Sequence, residues 1–96
     1  EGTAIAQPLR LRELLGVLRE TRGGAVHLTE AEITRATLDL AGMGIYVEPT
    51  AAQAAAALQK LLASGAITPD QTTVLVLTGS GLKATPRIAE LLGILL

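Results

Sequence analysis

The chain has 96 residues, a formal net charge of −1 and an apolar fraction of 49%, which together predict one small globular domain. The sequence has no cysteine, so it excludes a disulfide or a thiolate metal site, and its weak charge and single aromatic residue argue against a nucleic-acid partner. No apolar run approaches the roughly 20 residues that a membrane helix needs, so we expect no membrane partner.

Two helices and a short strand are predicted in the first half of the chain. Leucines recur on one face of a 3.6-residue period from Leu9 to Arg22, which predicts an amphipathic helix. Ala25 to Leu28 is predicted as a short strand. Thr29 and Glu32 form a capping box, so a second helix is expected to begin there and to run to about Ala41.

A third helix, from Ala51 to Leu62, is rich in alanine. Thr50 and Gln53 are predicted to form its capping box, and Gly65 is predicted to end it. Small side chains let a helix backbone lie close to its neighbours, so we expect this helix on the inside of the fold.

The apolar run Val74 to Leu77 shows no alternation, which is typical of a strand buried on both faces of a parallel sheet. We predict a central strand from Thr72 to Leu77 and a last helix that opens at Thr85-Pro86. The fold class is therefore predicted as α/β, a three-layer fragment with a short, mostly parallel sheet flanked by helices. The missing initiator Met and the few strands lead us to expect that residues 1–96 are one fragment of a longer chain.

The hexapeptide Thr78 to Lys83 directly follows the predicted central strand. Ligands of open α/β sheets bind beyond the carboxyl ends of their strands. A hydroxyl followed by glycines places one polar group on a backbone that a planar or phosphorylated ligand can approach closely. The alternative is an ordinary glycine turn in which Thr78 only ends a strand. The segment lacks the spacing of a P-loop, which disfavours ATP.

Three blocks of the sequence, in this order, resemble the C-terminal part of threonine synthases: Glu1 to Pro8, Gly44 to Thr50 with the alanine-rich helix behind it, and Thr78 to Lys83. Those enzymes depend on pyridoxal phosphate and share fold type II with tryptophan synthase β. The resemblance implies that the chain is part of the large domain of a cytoplasmic, homodimeric lyase. Such an enzyme converts O-phosphohomoserine, a small amino-acid substrate, and water to threonine and phosphate.

Two other functions stay open at this point. A threonine or serine deaminase of the same fold is the first, although deaminases usually end the corresponding strand in Ser-Gly-Gly-Asn rather than in the sequence Thr78 to Lys83. A non-enzymatic α/β interaction module is the second. An upstream lysine and phosphate loop in the native gene would favour an enzyme, whereas a Met directly before Glu1 would favour the module.

The resemblance also implies a set of cofactor-binding residues. Thr78 would hydrogen-bond the pyridine nitrogen of pyridoxal phosphate, and Gly79 would leave room for the ring. Glu48 and Gly2 would border the cofactor. An alternative for Glu48 needs no ligand, because a carboxylate is stabilised at the positive end of the helix that follows it.

No catalytic residue and no metal ligand is assigned within the chain. The family's cofactor-binding lysine and its phosphate loop lie upstream of the matching segment, so Lys83 is expected to be a surface or loop lysine. His27 has no partner at the spacing of a metal site, which favours a structural or surface role.

Overall fold

The computed structural model describes residues 3–95. Within them the chain forms four α-helices and a 3₁₀ helix: α1 (Leu11–Thr21), α2 (Glu30–Gly42), α3 (Pro49–Ser64), the 3₁₀ helix (Gly81–Ala84) and α4 (Thr85–Leu92). The four predicted helices are thus confirmed, with small shifts at their ends. None of the helices in this part of the chain is long and apolar enough to cross a membrane.

The predicted parallel sheet is wrong, because residues 3–95 contain no strand. Among these described residues, β-pairing is limited to an isolated antiparallel bridge between Val47 and Ser80. The predicted central strand, Thr72 to Leu77, is neither helix nor strand and makes no backbone hydrogen bond to another described segment. Burial alternates from Val74 to Leu77, which indicates an extended backbone. Ala25 to Leu28 is likewise irregular. A β-ladder needs a second strand to supply N–H and C=O groups, and no described segment offers one.

The side chains of this extended segment alternate between the core and solvent. Leu75 and Leu77 are half-buried against the hydrophobic core. Val74 and Val76 are 82% and 71% exposed. An apolar run without sequence alternation therefore packs on one face only, which is the burial pattern of a one-sided extended segment and not of a strand covered on both faces.

The core lies between α2 and α3, which pack against each other. From α3, four alanines are buried in this core: Ala51, Ala52, Ala55 and Ala56. Helix α2 contributes Ala36 and Leu40, and the segment after it contributes Val47. Small side chains at this contact let the two backbones approach closely. The prediction that the alanine-rich helix lies inside is confirmed.

The predicted cap of α2 is confirmed and that of α3 is wrong. Thr29 accepts a hydrogen bond from the Glu32 amide, and the Glu32 carboxylate accepts one from the Thr29 amide. Helix α3 instead begins at Pro49, and Gln53 donates to the Thr3 hydroxyl at 3.0 Å. Proline fixes the φ angle of the first turn and needs no amide partner, so the helix starts two residues earlier than the predicted box, which would begin it at Ala51. Gly65 ends α3 at φ 80°, as predicted.

The stabilisation that the α2 cap provides is expected to be lost as the pH falls into the acidic range. The hydrogen bond from the Thr29 amide, with the nearby Lys60 ammonium, lowers the pKa of Glu32. A carboxyl whose pKa is lowered by folding stabilises the folded state above its unfolded pKa, and this contribution is lost as the pH falls through the folded pKa. Glu32→Gln keeps an acceptor but removes the charge. We therefore expect the Tm difference between wild type and Glu32→Gln to shrink as the pH is lowered through that window.

Thermal unfolding across the acidic range measures this difference. The matched control is Glu20→Gln, which removes an exposed glutamate of α1 that forms no ion pair among the described residues. A Glu32→Gln difference that stays constant between neutral and strongly acidic pH would contradict the role given to the charge.

Helix α1 leaves its apolar face open. None of its residues is buried, and Leu11, Leu14 and Leu15 are 48%, 54% and 41% exposed. A helix of this length is marginal in water unless a neighbour covers its apolar face. We expect the 96-residue chain to self-associate through this face as its concentration rises, which sedimentation velocity would detect. Leu14→Glu should return it to a monomer, and a compact wild-type monomer at high concentration would refute the expectation.

Candidate functional site

The structure brings two of the predicted sequence blocks together at one turn. The Glu48 amide donates to the Gly79 carbonyl, and the Gly81 amide donates to the Tyr46 carbonyl, each at 3.0 Å. These two bonds flank the Val47–Ser80 bridge. The segment before α3 and the glycine turn after the extended segment therefore form one backbone unit, although more than 30 residues separate them in the sequence.

Glu48 lies directly over Gly79. A Cβ atom added at Gly79 would overlap the Glu48 carboxylate, so glycine leaves the space that this side chain fills. The Glu48 side chain is 24% exposed, and its Oε1 lies 4.0 Å from the Lys83 Nζ. The predicted neighbours Glu48 and Gly79 are thus in contact, and the room at Gly79 is taken up by Glu48 on that side.

Thr78 ends the extended segment immediately before this turn. Its side chain is exposed, and its hydroxyl makes no hydrogen bond within residues 3–95. A hydroxyl can donate one hydrogen bond and accept two, so this group is available to an external partner. The next residue, Gly79, is held in the backbone unit by its hydrogen bond from the Glu48 amide.

A groove of about 790 Å³ runs beside the turn. Its lining combines two carboxylates, two cations and small or apolar residues: Glu30, Glu48, Pro49, Thr50, Lys83, Ala84, Pro86 and Arg87. The two formal negative charges and the two formal positive charges balance. Glu48 lines this groove, whereas Thr78 does not.

The remaining predicted residues are placed as follows. Lys83 is 67% exposed on the 3₁₀ helix, and His27 is exposed, with its carbonyl accepting a hydrogen bond from Lys60 at 2.8 Å. Within the described residues no cluster of His, Asp and Glu side chains could hold a metal ion. Gly2 lies outside the described residues.

Sequence reasoning missed the part played by Tyr46. This residue is the single aromatic of the chain and stands two positions before Glu48, which is the signal that could have drawn attention to it. Its hydroxyl lies 3.1 Å from the Thr85 hydroxyl at the start of α4. Gly81 is buried beneath it. Tyr46 therefore connects the glycine turn to α4.

Comparison with known proteins decides the family. A family model described as pyridoxal-phosphate dependent enzyme matches residues 2–79. The chain belongs to this family. The match covers the Glu48 segment, the extended segment and the first two residues of the glycine turn, so it includes the Glu48–Gly79 bond, while Ser80 and Gly81 lie beyond it.

Threonine synthases are similar to the chain along most of its length. It is 41% identical over 87 residues to the threonine synthase of Methanosarcina acetivorans, which covers 90% of this chain and 22% of the relative. Identity to the threonine synthase of Methanocaldococcus jannaschii is 39% over 80 residues, or 82% of the chain and 20% of the relative. Identity to the threonine synthase of Halalkalibacterium halodurans is 42% over 65 residues, which is 67% of this chain and 18% of the relative. The resemblance to threonine synthases is confirmed.

The chain spans about a fifth of the length of these curated relatives. No solved structure matches it. The family's cofactor suits the donor set at the turn, because a pyridine nitrogen accepts a hydrogen bond and the Thr78 hydroxyl is an exposed donor with no described partner.

Proposed function

We propose that this chain is the part of a threonine synthase that faces the pyridine ring of pyridoxal phosphate. The whole enzyme would convert O-phosphohomoserine and water to threonine and phosphate. The observation that carries the proposal is the exposed hydroxyl of Thr78, which makes no hydrogen bond within residues 3–95 and lies next to a turn that is bonded on both sides of Ser80 to the Glu48 segment. The similarity to threonine synthases over most of the chain supports the same reaction.

Thr78 is proposed to donate a hydrogen bond to the pyridine nitrogen. When bound, pyridoxal phosphate supplies an electron sink for reactions at the carbon atoms of an amino acid. A neutral hydroxyl at the nitrogen leaves that sink weaker than a carboxylate would, which suits elimination and replacement at side-chain carbons. Thr78 thus tunes the cofactor and moves no proton of the substrate.

Gly79, Glu48 and Gly2 are proposed to shape the space around the ring. Gly79 keeps the backbone after Thr78 free of a side chain. Glu48 packs on Gly79 and reaches toward Lys83, so it limits how far the turn can move. Gly2 is proposed to approach the ring from the N-terminal block, on the strength of the resemblance.

The assembly and location follow from the same proposal. Residues 1–96 form a single part of the cofactor-binding domain, and the enzyme acts on a small amino-acid substrate as a homodimer. The open apolar face of α1 supports contact with another surface. A cysteine-free sequence is compatible with a reducing compartment, and we propose the cytoplasm.

The 96-residue chain alone is expected to be catalytically inert. Its two lysines are Lys60, which bonds the His27 carbonyl, and Lys83, which is exposed and faces Glu48. We propose that the lysine and phosphate loop that hold the cofactor lie outside these residues. Titration with pyridoxal phosphate, followed by borohydride reduction and mass spectrometry, should give no stoichiometric adduct.

The matched variant is Lys83→Arg, which keeps the charge and removes the amine. A one-to-one adduct of the wild-type chain that disappears in Lys83→Arg would contradict the assignment of Lys83 to the surface. In the native full-length protein, pyridoxal phosphate should bind and O-phosphohomoserine should yield threonine and phosphate in equal amounts. Failure to form threonine would refute the proposed reaction, and release of a 2-oxo acid from threonine would identify a deaminase instead.

A further inference from the structure

Tyr46 makes two hydrogen bonds to the segment that follows Thr78, one from its backbone and one from its side chain. Its carbonyl accepts a hydrogen bond from the Gly81 amide at 3.0 Å. Its hydroxyl lies 3.1 Å from the Thr85 hydroxyl, which also lies 3.4 Å from the Gly81 carbonyl. Backbone and side chain of one residue therefore hold both ends of the 3₁₀ helix.

The ring of Tyr46 packs on Gly81. A Cβ atom added at Gly81 would lie 2.8 Å from the Cδ1, Cδ2 and Cε2 atoms of the ring. Equal distances to atoms on both edges of the ring mean that Gly81 meets its face. Real Cβ atoms do not approach other heavy atoms this closely, so glycine is required at Gly81 while the ring keeps this position.

The position of the Thr78 hydroxyl depends on this contact. The hydroxyl makes no hydrogen bond to a described residue, so the backbone of the turn and the χ1 angle of Thr78 set where it lies. That backbone is fixed by the two bonds to Tyr46 and Glu48 on either side of Ser80. No other described backbone hydrogen bond connects residues 46–48 to residues 79–81. Without these two bonds, the backbone directly after Thr78 would therefore not be held against the Glu48 segment.

We propose that Tyr46 is a positioning residue, which holds the Thr78–Gly81 turn so that the Thr78 hydroxyl meets the cofactor ring. This inference rests on the proposed function of Thr78. Tyr46 itself touches neither cofactor nor substrate in this scheme. The competing explanation is that a 41% exposed tyrosine only covers Gly81 and contributes to stability.

Two measurements on the native full-length protein separate these explanations. Amide hydrogen exchange without cofactor reports the opening of the turn at Glu48 and Gly81. The absorbance and fluorescence of bound pyridoxal phosphate, with its dissociation constant, report the hydrogen bond to the ring nitrogen. Tyr46→Phe removes only the hydroxyl, and we expect exchange at Gly81 to rise about two- to ten-fold and the dissociation constant to rise by a similar factor, with a spectral shift.

The matched control is Leu82→Ala, in the same 3₁₀ helix, whose side chain is 77% exposed. It should leave the exchange rates, the spectrum and the dissociation constant unchanged. Gly81→Ala should disturb all three more than Tyr46→Phe does. The added methyl group should do less harm in a Tyr46→Ala background, because the ring it would meet is gone.

The outcomes are distinct. Faster exchange in Tyr46→Phe with an unaltered cofactor spectrum and dissociation constant overturns the positioning role and leaves the proposed function standing. Unchanged exchange overturns the role as well. If the wild-type protein binds no pyridoxal phosphate, the proposed function fails, and the positioning role fails with it.

Discussion

Replacing Thr78 by valine is expected to lower kcat/KM of the full-length enzyme about ten- to a hundred-fold, through loss of one buried hydrogen bond in the cofactor complex. Thermal stability should not change. The Thr78 side chain is exposed and its hydroxyl has no described internal partner, so the folded protein loses no bond of its own. Valine also keeps the branched shape that suits an extended backbone. Steady-state kinetics and thermal unfolding of the same preparation measure the two effects.

The neighbouring variants sharpen this test. Thr78→Ser keeps the hydroxyl and should be much milder than Thr78→Val. Thr78→Asp places a carboxylate at the ring nitrogen, so we expect side reactions such as deamination to rise relative to threonine formation. A Thr78→Val enzyme with wild-type kinetics would mean that the hydroxyl serves only the fold, and the assignment of the site would then fail.

Truncation of Leu40 to alanine is expected to destabilise the protein by about 2–5 kcal/mol, the usual cost of a buried leucine. Leu40 is 4% exposed and belongs to the core between α2 and α3. Most of the other buried side chains there are alanines, which cannot extend into the space that the truncation leaves. Native stabilities are commonly about 5–15 kcal/mol, so the change would remove a large share of the total.

Urea unfolding of the full-length protein and of the isolated chain measures this loss. Leu9→Ala is the matched control, because Leu9 is fully exposed and the same atoms are removed. Its free energy of unfolding should stay within about 0.5 kcal/mol of wild type. Equal effects of the two substitutions would show that the α2–α3 contact is not the core that holds this chain together.

Local signals in the sequence determined the helices. Thr29 and Glu32 start α2 because their side chains accept hydrogen bonds from backbone amides of the first turn. Gly65 ends α3 because glycine readily adopts the left-handed conformation found there. The predicted cap at Thr50 failed for an equally local reason, since Pro49 already occupies the first turn. The run of alanines also identified α3 as the inner helix, because small side chains let its backbone lie close to its neighbours.

The sequence by itself also predicted the residues of the candidate site, through the blocks shared with threonine synthases, and family comparison confirmed the resemblance. Their roles toward a cofactor stay predictions. Spacing along the chain could not indicate that Glu48 packs on Gly79 or that Tyr46 lies on Gly81. Those contacts join residues more than 30 positions apart, and only tertiary structure brings them together.

Tertiary structure also decided against the sheet. The run Val74 to Leu77 has the composition of a buried strand, and its extended backbone follows from that composition. Whether such a segment enters a sheet depends on a neighbour that can exchange hydrogen bonds with it, which is a property of distant residues. Within residues 3–95 it packs Leu75 and Leu77 on two helices instead. Local propensity therefore set the shape of the backbone, and the available partners set the fold.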